Sequence, residues 1–279
     1  MMADLVRTAK SGNDWSALEL DAYNITIQRI DIPTFFGHRP GAIDIDPNIN
    51  PNIFSEIDTS SDATHDLSPD THRFLSSVYL ATHASPVQQS AINNVARTVL
   101  EVMRFDEVGT CTCLRTCVDI PLAICGDNAQ MTAMADICLV HINTIILLVV
   151  QEDRLLSSVD PEPQVIADAI AAFQRNNRKR EEFGLEALQD MTILCITMIG
   201  TCPVFYKVPV TKELSHSVAV GRYPRRPTVV EKCWSIRRQV TEGMQVPAFR
   251  RTALEHYGAF HAVARECWTK ILAGYHDAR

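Results

Sequence analysis

MTAMADICLVHINTIILLVVQEDR, residues 131–154, holds two apolar runs separated by the polar break at His141–Thr144. Both runs have strand length, which predicts strands over 131–142 and 143–153 joined by a turn at the break. The second run is continuously apolar from Ile146 to Val150. It then ends in Gln151, Glu152, Asp153 and Arg154, with no Gly or Pro. Two acids and a guanidinium at that point have two readings: a strand surfacing into water, or half of a metal site.

A turn near His141–Thr144 allows several hairpin registers. At one end of the range Asp136 stands opposite Glu152, with Cβ atoms about 4.5–5.5 Å apart. Two carboxylates that close repel each other, and a divalent cation removes the cost. Strand alternation sets Glu152 and Arg154 on one face and Asp153 on the other. A guanidinium then lies beside the acid pair, where it can bind a phosphate or a developing anion.

The flanking sequence frames this hairpin. Residues 110–125, TCTCLRTCVDIPLAIC, predict a preceding strand. Residues 72–106 predict helix, with Ile92, Val95, Val99, Leu100, Val102 and Met103 at helical spacing and Pro86 suited to a first turn. After the hairpin, DPEPQVIADAIAAFQRNNRKREEFG predicts a helix capped by Asp160. Its apolar stripe is Val165, Ile166, Ala169, Ile170 and Phe173, and Gly184 lies past its end. MTILCITMIGT and CPVFYKVPVT then predict two more strands. Near the N-terminus, DWSALELDAYNITIQRI predicts a short helix leading into a strand. Residues 37–71 predict a long Pro/Asn/Asp/Ser-rich loop. Three segments are therefore expected: 1–71 as an N-terminal extension, 72–227 as the core, and 228–279 as C-terminal helices packed on it. The fold class is α/β (α+β), a central mixed sheet flanked by helices.

Composition narrows the function classes. The 279 residues are 46% hydrophobic and 21% charged, ordinary for a globular chain, and the formal net charge is −7. That excludes a surface coated in basic charge but allows a local basic groove. No apolar leader opens the chain, and no apolar stretch is long enough for a membrane span. Nine cysteines, an odd number, sit mostly in apolar segments, as reduced core thiols do, so an intracellular protein, cytoplasmic or nuclear, is expected. No GxGxxG, GxxxxGK[ST] or GxSxG motif occurs, which disfavours dinucleotide binding, P-loop chemistry and a nucleophile elbow.

Other patterns have ordinary readings. Cys111, Cys113 and Cys117 are spaced C-x-C-x3-C, not as common zinc ligands are, and their shared parity suggests a buried strand face. DIDPNINPN opens like a calcium loop, but its sixth position is Ile49 and its twelfth Ser55, so turn chemistry is expected. His256, His261 and His276 form no i, i+4 pair. Arg175, Arg178 and Lys179 at a helix C-terminus suit the helix dipole, or form a phosphate-contacting patch with Lys207, Arg222 and Arg225.

The order helix–strand–strand–strand–helix–strand, with Asp136 on one strand and Glu152-x-Arg154 ending the next, resembles the PD-(D/E)XK nuclease superfamily and its restriction-endonuclease-like fold. DPEPQVIADAIAAFQ, MTILCITMIGTCPVFYKVPVT and VAVGRYP also resemble a group of fungal proteins built on this fold. The resemblance spans roughly residues 90–215. It implies nucleic-acid phosphodiester hydrolysis with Mg2+ (or Mn2+) held by Asp136 and Glu152. It also implies Glu101 as the core-helix acid and Gln164 as a glutamine beside the site. The family lysine is replaced by Arg154, which stays charged and cannot take a proton from water. Two functions follow from that departure: a nuclease with Arg154 as charge stabiliser, or a degenerate nuclease fold that binds nucleic acid or a protein partner. The apolar tail helices offer a homodimer surface.

Overall fold

The computed structural model describes residues 7–54, 67–83, 90–107, 111–126, 131–142, 145–153, 160–234 and 243–275, with the backbone alone at Ser90, Glu152 and Asp153. The predicted hairpin forms as β3 (Thr132–His141) and β4 (Ile145–Asp153), and the preceding strand as β2 (Thr112–Pro121). The remaining strands are β1 (Ile25–Arg29), β5 (Asp190–Ile199), β6 (Cys202–Thr211) and β7 (Thr228–Trp234). They make one mixed sheet in the order β1-β7-β6-β5-β4-β3-β2. β4 and β5 run parallel, as do β1 and β7, and every other neighbouring pair is antiparallel. This is the expected α/β class with a mixed sheet flanked by helices.

Helices cover both faces. On one lie α1 (Ala17–Ala22), α5 (Glu162–Glu182) and α6 (Lys212–Val220). On the other lie α2 (Ile32–Phe36), α4 (Ser90–Val102) and α7 (Pro247–Leu272). α3 (Pro69–His83) packs outside α4 through a buried Ser77–Thr98 hydroxyl pair at 2.8 Å. The stripe of α5 is fully inside: Val165, Ile166, Ala169, Ile170 and Phe173 are all buried. Its N-cap is Pro161, one residue later than expected and without a side-chain cap, while the Asp160 carboxylate just outside accepts the Glu162 N–H at 3.0 Å. In the C-terminal half of α5, the buried Asn176 side chain accepts the Ile146 N–H at 2.8 Å and donates to the Ile146 carbonyl at 2.7 Å, which pins α5 to β4.

The helical reading of 72–106 holds in the described residues, as α3 and α4, and Pro86 lies outside them. Several expectations change. The tail does not begin as a helix, because TVVEKCW is β7, an interior strand between β1 and β6. KELSHSVAV, unassigned from sequence, is α6, capped by Thr211 at its start and Gly221 (φ 68°) at its end. The expected segments 1–71 and 228–279 therefore each contribute a strand to the same sheet as 72–227. The Cys111/Cys113/Cys117 face is not buried. β2 is an edge strand, and Cys111 and Cys117 are exposed, each with positive φ. Turn chemistry does hold in the DIDPNINPN stretch, where Asp46 accepts the Asn48 N–H at 2.8 Å.

Candidate functional site

Register decides which side chains can meet. β3 and β4 pair as Ile137↔Val150, Cys138↔Val149 and Leu139↔Leu148, with a bulge between Leu139 and Val140. Carried one pair further, the ladder sets Asp136 across from Gln151, one residue short of Glu152. Because side chains alternate, one residue is the difference between the two faces of the sheet. Glu152 takes the register position opposite Met198, whose sulfur accepts the Tyr257 hydroxyl of α7. Asp136 alternates with Cys138 on the α5 face. The two sequence-derived ligand positions are thus one residue out of register with each other, and Arg154 lies outside the described residues.

The α5 face carries a run of polar residues that a sheet core would normally lack. One row of register partners crosses the whole sheet: Arg115, Cys138, Val149, Cys195, Tyr206, Lys232 and Arg29. Beside it Gln151 pairs with Thr197. Over these rows lies the N-terminal half of α5. Its Glu162 carboxylate accepts the Tyr206 hydroxyl at 2.9 Å and the Lys232 ammonium, while Tyr206 and Thr197 hydroxyls meet at 3.2 Å. Burial lowers the Lys232 pKa, partly offset by the nearby Asp160 charge.

Nearly two turns further along α5, Asp168 is 0% exposed, and neither carboxylate oxygen has a hydrogen-bond partner among the described residues. Burial pushes its pKa far above the usual carboxylate range, and the neighbouring Asp136 charge pushes it further. The flanking thiols of Cys138 and Cys195 are also raised, by burial first and the Asp168 charge second. Gln151 is 2% exposed, and its Oε1 likewise has no partner. Neither Asp168 nor Gln151 stood out in the sequence as a site residue. The signal was available: an acid inside the apolar stripe of a helix, and an amide closing an otherwise apolar strand.

The other sequence-derived candidates scatter. Gln164 does sit on the α5 side, donating to Asn13 Oδ1 at 3.1 Å, and the same oxygen accepts the Met134 N–H at 3.3 Å. Glu101 lies in a groove of about 950 Å³ between α3 and α4, bound to Arg97 at 2.8 Å. α4 leads to Phe105, which packs on Tyr257 and Trp268 of α7, so Glu101 belongs to the opposite layer from Asp136. Lys207 is on that layer too, donating to the Phe35 carbonyl at 2.5 Å and 3.6 Å from Glu231. Lys179 pairs with Glu182 at 2.5 Å, Arg178 is exposed, and Arg175 is half-buried with its charge felt at Cys138. Arg222 and Arg225 are exposed on the loop after α6.

Among the described residues no three His, Cys, Asp or Glu side chains group to hold a metal ion. No described helix is long and apolar enough to cross a membrane. No family model matches the chain, and no curated protein matches its sequence.

Proposed function

We propose that this chain is a nuclease-like protein that hydrolyses nucleic-acid phosphodiester bonds with Mg2+ or Mn2+. The observation that carries the reading is the course of the chain through β2, β3, β4, α5, β5 and β6. An antiparallel meander is followed by a helical crossover into a parallel strand and a return strand. That is the order the PD-(D/E)XK resemblance leads one to expect, and Asp136 sits on its second strand. A bound divalent ion would polarise the phosphate and acidify a water. The chain's own part is to supply oxygen donors at Asp136 and to neutralise the phosphodiester with guanidinium groups. Arg115 and Arg175, whose charges both reach Cys138, are candidates for that part, with Arg178 further along the same helix. The nine free thiols support an intracellular setting.

The test is cleavage of supercoiled plasmid and of single-stranded DNA and RNA with Mg2+ or Mn2+, on this protein and Asp136→Asn. Metal-dependent cleavage lost in the variant supports hydrolysis at this face. Wild-type protein that never cleaves rejects it.

A second reading is favoured by the register. The backbone register does not set Asp136 and Glu152 opposite each other, as the expected ligand pair would need. On that ground the fold acts as a binding module without catalysis. Salt-sensitive nucleic-acid binding, weakened by Arg175→Ala with no cleavage at any metal concentration, is its expected signature.

A further inference from the structure

Buried polar atoms in folded proteins nearly always find a hydrogen-bond partner, so each exception asks for an explanation. Two exceptions occur on the α5 side of the sheet. Both carboxylate oxygens of Asp168 and the amide oxygen of Gln151 are buried and unpartnered. Carrying the β3–β4 ladder one pair further sets Gln151 across from Asp136, and the Asp136 charge is felt at Asp168. Asp136 is half-buried and so in reach of solvent.

We propose that Asp136, Gln151 and Asp168 together bind a small divalent cation, Mg2+ or Mn2+, with Asp168 of α5 supplying the second carboxylate in place of Glu152. This rests on the nuclease-like reading and reassigns the ligands within it. The donor chemistry selects the ion. Two carboxylates and an amide carbonyl are hard oxygen donors, and Mg2+ is commonly held by one or two carboxylates with water completing the shell. The nearby thiols do not redirect the choice to zinc. Cys138 and Cys195 are two strands apart across Val149, about 9–10 Å at the usual strand spacing, too far to share one ion. The cation also accounts for a helix that places an acid in its buried stripe. Without an ion, Asp168 is a buried acid with no hydrogen-bond partner among the described residues, a cost with no return.

The experiment is calorimetric titration of the full chain with MnCl2 and MgCl2, paired with thermal melts in metal and in chelator. It is run on the wild type, Asp168→Asn, Gln151→Met and Glu152→Gln, with plasmid cleavage assayed on the same samples. The expected result is metal binding and a metal-dependent rise in Tm in the wild type and in Glu152→Gln. Affinity should fall at least tenfold in Asp168→Asn and fall measurably in Gln151→Met. Metal affinity unchanged in Asp168→Asn, or lost in Glu152→Gln, overturns the assignment. If Glu152→Gln also abolishes cleavage, the nuclease reading survives without this site. If Asp168→Asn loses metal but the wild type never cleaves, the site stands and the nuclease reading falls. Absence of binding in the wild type overturns the site outright. Should Asp168→Asn fail to fold, Gln151→Met against Glu152→Gln still decides between the two assignments.

Discussion

Asn176 and Asp168 are two buried polar residues two turns apart on one helix, with opposite hydrogen-bond status. Asn176 satisfies both the N–H and the carbonyl of Ile146. Asp168 satisfies nothing among its neighbours. Truncating the first leaves two backbone groups stranded, whereas truncating the second removes an unpaired acid. Asn176→Ala is expected to destabilise the protein by about 2–4 kcal/mol in urea unfolding. Asp168→Ala in chelator-treated buffer should cost at least ~1 kcal/mol less. Equal losses would mean that Asp168 holds the metal-free fold together after all. From sequence, Asn176 was one more polar residue near a helix C-terminus, and Asp168 an interruption in an apolar stripe. Composition and spacing locate such residues, but only neighbours in space say which oxygen is paired.

At the scale of elements, the N-terminal 3-10 turn at Gly12–Asp14 shows how a small residue sets a site. A Cβ on Gly12 would stand 2.8 Å from the Ala133 Cβ and 3.3 Å from that of Ala167, so the turn wedges between β3 and α5 only as glycine. Asn13 then bridges β3 and Gln164. Gly12→Ala is expected to lower stability by about 1–3 kcal/mol, read as a drop in Tm, and to loosen Asn13 from both partners. A wild-type melting curve would refute that packing account. The C-terminal end of α7 depends on Arg180 in a similar way. This buried guanidinium donates to the carbonyls of Ile271, Ala273 and Glu186 at 2.8–3.0 Å. Arg180→Met should speed amide exchange over the last turns of α7, because those carbonyls lose their cap. β3, β4, α5, β5 and β6 were legible in sequence because period and punctuation agree along each of them. β7 was not. Its two charged positions, Glu231 and Lys232, mask the strand alternation, and both are stabilised by partners remote in sequence, Lys207 and Glu162.

For the whole molecule, one sheet ties together residues from both ends of the chain. β1 comes from the first thirty residues, β7 from beyond residue 227, and α7 covers the Phe205, Phe260 and Tyr257 cluster on the face opposite α5. A fragment of residues 72–227 is therefore expected to be insoluble or to melt without cooperativity, and a cooperative, soluble fragment would contradict this. Stability should also fall in mild acid. Burial holds His256 and His261 down to about 4, below the ordinary imidazole value. The folded state therefore refuses protons that the unfolded chain accepts below about 6.5. This stabilisation is complete above that pH and is lost as pH falls from about 6.5 toward 4. His256→Gln should flatten the profile of Tm against pH across that window. The sequence by itself determined the α/β class, the meander and the crossover helix, since these depend on hydrophobic period and caps within one segment. Tertiary structure alone decided the β3–β4 register, and with it that Asp136 shares strand parity with Cys138 rather than standing opposite Glu152. A bulge at Leu139/Val140 shifts the pairing by one residue, a step that no local pattern encodes and that exchanges the two faces of a strand.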